Sequence, residues 1–146
     1  MIQRIQSVFL LLATGSAFGL FGLPFAKTDV AVAGSSLFSD QIYNILDDTV
    51  VLALFCAAGI LAFLAIFLFK NRNLQSRLAL LSILVMLGGI GWAIYQFSLD
   101  AAAKGAEVIH YSAGITLPFL GIIFAALAAR FIKKDDKLVK SMDRLR

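Results

Sequence analysis

Charge is scarce in this chain. Asp, Glu, Lys and Arg make up 15% of the 146 residues and hydrophobic residues 60%, which would leave a soluble domain with more apolar surface than it could cover. Lipid is the solvent that such a composition fits. A single cysteine, Cys56, excludes an intramolecular disulfide and reads as a small hydrophobe within an apolar stretch. A single histidine, His110, excludes the paired-histidine metalloenzyme motifs, and neither a Gly-rich phosphate loop nor a nucleophile elbow occurs. Above all, the long apolar stretches hold no Asp, Glu, Lys, Arg or His at mid-depth, where proton relays and ion-coupled transporters place them. The polar residues there are Thr14, Ser16, Cys56, Ser82 and Thr116, with Gln96 nearer an end, and they are expected to hydrogen-bond neighbouring helices. A proton- or sodium-coupled transporter is therefore not expected.

What the chain does have is four nearly uncharged apolar stretches, at 5–26, 49–69, 78–99 and 108–129. At ~1.5 Å rise per residue each approaches the ~30 Å hydrocarbon thickness of a bilayer. The pattern predicts an all-α integral membrane protein: an up-and-down bundle of four transmembrane helices over 1–132, then a basic amphipathic tail over 133–146. Of the 13 basic residues, 11 fall at the N-terminus, in the 70–77 connection or in the tail, whereas Lys27 and Lys104 share the other side with Asp29, Asp40, Asp47, Asp48, Asp100 and Glu107. The positive-inside rule then puts both termini in the cytoplasm and the protein, multi-pass, in a bacterial inner membrane. The first stretch is expected to be retained as a span. It is longer than a signal-peptide core, and Lys27 and Asp29 separate it from the small residues Ala31-Val32-Ala33-Gly34.

Lipid removes the hydrophobic drive between helices, which leaves close packing of small residues to hold them together. Each stretch offers such a face: Gly15 and Gly19 with Gly22; Ala53 with Ala57 and Ala58 with Ala62; Gly88 beside Trp92 and Gly89 with Ala93; Gly121, Ala125 and Ala129. Internal packing and docking of another membrane protein both fit them. Pro118 falls inside the fourth stretch and predicts a bend there, with Thr116 and Ser112 near enough to satisfy a freed carbonyl.

On the outer side Asp47 and Asp48 precede the second stretch, where carboxylates suit the positive end of a helix. Glu107 and His110 would share a face at i, i+3 if the fourth helix began early, but two ligands do not make a metal site. No catalytic, cofactor-binding or metal-binding residue is assigned, and no cofactor is expected. Tyr43, Trp92, Tyr95 and Tyr111 read as an interfacial aromatic belt. The loop 27–48 carries a short alternating piece at 28–33 and then a short helix capped by Ser39 and bearing Ile42, Ile45 and Leu46, a lid or docking patch rather than a domain.

The tail, read as a helix continuing the fourth span, sets Phe131, Leu138, Met142 and Leu145 on one stripe with Ile132 and Val139 beside it, and Lys133, Lys134, Lys137 and Lys140 around them. Such a segment rests on anionic membrane lipid or docks a cytoplasmic partner, the ribosome included; its three acids speak against pure phosphate binding, and DNA is not an expected partner.

The opening MIQRIQSVFLLL and the closing IKKDDKLVKSMDRLR resemble the ends of domain of unknown function 4293, a family of small four-span proteins of Bacteroidota. KKDDKLVKSMDRLR is the specific part, with Met142 where the family pattern has alanine. The resemblance implies an inner-membrane four-helix fold and carries no activity or catalytic residue. The residues themselves lead us to expect a non-enzymatic accessory or scaffolding subunit of an envelope complex, such as protein-export machinery, bound to integral-membrane partners. An oligomeric lipid or small-molecule carrier or channel, and a membrane enzyme using outer carboxylates with His110, are the rival readings.

Overall fold

A computed structural model describes residues 3–29, 31, 34–104 and 109–143. Four helices, α1 (Gln3–Phe18), α2 (Thr49–Phe67), α3 (Arg72–Lys104) and α4 (Thr116–Asp143), form a ring in which each packs on its two sequence neighbours and α4 closes on α1. Short strands β1 (Ala26–Thr28), β2 (Ile42–Tyr43) and β3 (Ile109–Tyr111) cover one end. Three helical stretches, Thr49–Phe67, Arg72–Asp100 and Ala113–Val139, are long and apolar enough to cross a membrane, and a shorter apolar one runs Ile5–Phe21.

The first helix is shorter than the apolar run that encodes it. Past Phe18 the chain tightens into a 3-10 turn, Gly19–Phe21, and Pro24 bars its preceding residue from helical geometry, so 22–26 leaves the axis. α3 is longer than expected and starts at Arg72, because Asn71 caps it by accepting the amide of Leu74 at 3.2 Å. α4 starts at Thr116, not 108. Pro118 therefore lies in its first turn, where a missing N–H breaks no helical bond, and the expected mid-span bend has no cause. The helix then runs unbroken through the tail to Asp143.

Away from the sheet, side-chain size is inverted relative to a soluble bundle, whereas next to the sheet Phe25, Phe38, Tyr43 and Phe55 fill the core. Ala13, Ala62 and Ala125 meet at the centre, Ala65, Ala79 and Ala128 pack with Leu10 below them, and Leu84, Ile94, Phe67 and Phe63 point outward. Small residues inside let backbones approach closely, and large apolar ones outside suit lipid. Contrary to expectation, Thr14, Ser16 and Ser82 bond back within their own helices, to the carbonyls of Leu10, Leu12 and Ala79 at 2.8–2.9 Å, and link no two helices.

At one end Gln6 of α1 donates to the Phe131 carbonyl of α4 at 3.3 Å, and Arg72 pairs with Asp135 at 3.2 Å. These contacts bring the starts of α1 and α3 and the C-terminal half of α4 together. The opposite end carries the sheet, in the order β2-β1-β3, antiparallel throughout. Ala26 stands opposite both Tyr43 and Tyr111, and the bonds Phe25 N–H to Tyr43 O (2.8 Å) and Ser112 N–H to Phe25 O (3.0 Å) extend the ladder.

Candidate functional site

The capped end is built by long-range pairing. β1 alternates buried, exposed, buried, so Ala26 and Thr28 face the bundle and Lys27 faces out. The helix expected after Ser39 is absent: Ile42–Tyr43 is β2, because Gln41, at φ 69°, turns the chain alongside β1 and Thr28 N–H bonds the Gln41 carbonyl at 2.9 Å. Ser35 ties the loop down. Its hydroxyl donates to Asp100 near the end of α3 and accepts the amides of Leu37 (3.2 Å) and Phe38 (2.9 Å). Asp48 caps α2 and also receives the Trp92 indole N–H at 3.0 Å.

Beneath the sheet lies an apolar cavity of about 340 Å³. Ala26 and Tyr111 roof it; Ile90, Ala93 and Phe97 of α3 form one wall; Phe55 of α2 and Pro118 of α4 close the far side. The lining residues Ile94, Tyr111, Ile115 and Phe119 are exposed, so the cavity opens between α3 and α4 and beside β3. Tyr43 is part of the wall. It was expected in an exposed aromatic belt, but it is 2% exposed and its hydroxyl has no hydrogen-bond partner among the described residues. Burial, then Asp48 and Asp47, push its phenol pKa well above the ordinary value, so it is a neutral donor. Trp92, Tyr95 and Tyr111 are exposed as belt residues are.

Glu107 and His110 do not combine as the spacing suggested. His110 lies on β3, not on a helix, and its Nε2 is 3.3 Å from Asp29 across the sheet, both side chains exposed; Glu107 lies outside the described residues. Among the described residues no three His, Cys, Asp or Glu side chains gather as metal ligands.

Of the expected packing residues, Gly19 receives Leu117, Gly89 receives Phe55, Gly121 receives Met86, and Ala125 is fully buried. Gly15 and Gly88 are exposed, with open space where a side chain would stand, and Gly91, which the sequence reading did not single out, is the same. In the tail Leu138, Lys133, Lys134 and Lys137 are exposed and Ile132 is buried. Leu145 and the side chains of Lys140 and Met142 lie outside the described residues.

No curated protein and no solved structure matches the chain. A family model does, across residues 2–145, and by that match the chain belongs to the family described as domain of unknown function, DUF4293.

Proposed function

We propose that this protein is a small non-enzymatic accessory subunit of an inner-membrane assembly, with both termini cytoplasmic and the sheet outside. The carrying observation is the outward face of α3, where two glycines one turn apart, Gly88 and Gly91, leave open notches beside exposed Leu84, Leu87, Trp92 and Tyr95; Gly15 of α1 is open too but stands alone, and Gly19, Gly59, Gly89 and Gly121 are filled from within the chain. Small residues next to large ones are what a second transmembrane helix packs against. The orientation follows from charge: Lys70, Arg72, Arg77, Arg130, Lys133 and Lys134 cluster at the end holding the termini, and Asp29, Asp40, Asp47 and Asp48 at the sheet end. At the basic end, exposed Leu138 among Lys133, Lys134 and Lys137 offers a contact for anionic lipid or a cytoplasmic partner.

The test is purification in gentle detergent with mass spectrometry, for the parent and for Gly88→Leu with Gly91→Leu. Because both glycines face open space, the double variant should fold as the parent does while losing a partner that is stoichiometric in the parent. A chain that purifies alone, or a partner retained by the variant, refutes the reading.

A further inference from the structure

The outward face of α4 changes chemistry along its length. Phe119, Ile123, Arg130, Lys134 and Lys137 are all exposed, and their spacing in an unbroken helix keeps them on one stripe, apolar in its first half and cationic in its second. Among the described residues no carboxylate pairs with these three cations: Asp135 turns to Arg72 of α3 at 3.2 Å, and Asp136, one residue on, is partly buried.

A contact between helices fixes the depth of the stripe. Gln6, beside Ile5 where the apolar run of α1 begins, donates to the Phe131 carbonyl at 3.3 Å, so Arg130 is level with the edge of the hydrocarbon. At ~1.5 Å rise per residue Lys134 and Lys137 stand about 6 and about 10 Å farther out, and the head-group layer is about 5–8 Å deep on each side. Head groups therefore surround Arg130 and Lys134, with Lys137 at their outer rim. The helix dipole does not account for the pattern, because Arg130 is roughly three and a half turns from the end of α4 at Asp143 and the dipole acts within the last turn. The positive-inside rule asks only for cations on this side, not for three beneath an apolar stripe. A cytoplasmic protein or an RNA could reach Lys137 but would have to enter the head-group layer to reach Arg130.

We propose that this stripe is a binding site for an anionic phospholipid, its phosphate held by Arg130 and Lys134, Lys137 at the outer rim, and an acyl chain lying along Ile123 and Phe119. The inference rests on the contact proposed above for the basic end and commits it to lipid. It does not involve the α3 face.

The full chain, purified in neutral detergent, is mixed with equal amounts of phosphatidylglycerol and phosphatidylcholine bearing identical acyl chains, and bound lipid is counted by native mass spectrometry. The parent should retain phosphatidylglycerol at least about tenfold over phosphatidylcholine, a comparison that needs no variant to fold. Arg130→Gln should cut that preference about fivefold, and adding Lys134→Gln should bring it near parity. Lys70→Gln with Arg77→Gln removes the same charge from two exposed residues around the start of α3, and should leave the preference within about twofold. Excess inorganic phosphate should displace little lipid, since it lacks the acyl chain. Equal retention of the two lipids by the parent overturns the proposal, as does full displacement by phosphate. So does a preference lost equally in both double variants, or one that survives Arg130→Gln and falls only with Lys137→Gln. A chain that purifies without a protein partner, which refutes docking at α3, alters none of these outcomes.

Discussion

The indole N–H of Trp92 on α3 donates to Asp48 Oδ2 at 3.0 Å, while Asp48 Oδ1 takes the amides of Val50 at 2.7 Å and Val51 at 3.2 Å. One nearly buried carboxylate thus caps α2 and locks it to its neighbour. Asp48→Ala should cost about 2–3 kcal/mol, a cap of ~1 plus a charge-assisted bond. Trp92→Phe should cost about 1–2 kcal/mol. The double variant should fall short of the sum, because both changes remove the same bond. Unfolding in mixed micelles, followed by circular dichroism, measures all three, and strict additivity would show that the indole contributes nothing through Asp48.

Gly114, in the 3-10 turn that precedes α4, lies directly against the backbone of Leu23 and Pro24 just before β1. Its N–H bonds the Pro24 carbonyl at 3.2 Å, and a Cβ there would collide with the carbonyls of Leu23 and Pro24. Those are backbone atoms, so the neighbour cannot rotate away. Gly114→Ala should destabilise by roughly 1–3 kcal/mol and loosen β3 from β1, seen as faster amide exchange at Ser112 and Phe25. Exchange equal to the parent's would count against the close approach.

Asp47 gives the sheet end of the bundle a pH dependence. Partial burial raises its carboxyl pKa above the ordinary 3.8, the Asn44 amide it accepts works the other way, and Asp40 adds to the rise. The folded chain therefore holds this proton more tightly than the unfolded one. Stability from this group is present below pH 3.8 and is lost as pH rises through the folded pKa. Asp47→Asn keeps an acceptor for Asn44 and removes the ionisation cost. It should stabilise slightly at pH 7 and make no difference at pH 3, as thermal midpoints at the two pH values would report; a gain confined to acid would contradict the sign.

The tail is held to the bundle by the Arg72–Asp135 pair, which is supplemented by an Arg72 bond to the Asp135 carbonyl at 3.3 Å. Arg72→Met should free the last turns of α4, and trypsin should cleave after Lys133, Lys134 or Lys137 several-fold faster. Neutralising Lys133, Lys134 and Lys137 to Gln should instead weaken attachment to anionic vesicles by about 1 kcal/mol per charge. Leu138→Asp that detaches the tail while the charge variant does not would assign the contact to a protein.

Four helices, three of them long and apolar enough to cross a membrane, were legible in the residues alone, because partition into lipid is nearly a sum over each segment's own side chains. Pro118 shows where that reading stops: its position was plain, but its consequence depended on where α4 began, and pairing of Ile109–Tyr111 with β1 set that start. Strands of two or three residues, brought together across long chain separations, carry too little periodicity to be seen singly. His110 meets Asp29, Trp92 meets Asp48, and Tyr43 turns from the expected belt into a cavity wall for one reason. Each partner is supplied by a different segment, and only packing the helices and closing the sheet brings those segments within hydrogen-bond or van der Waals range.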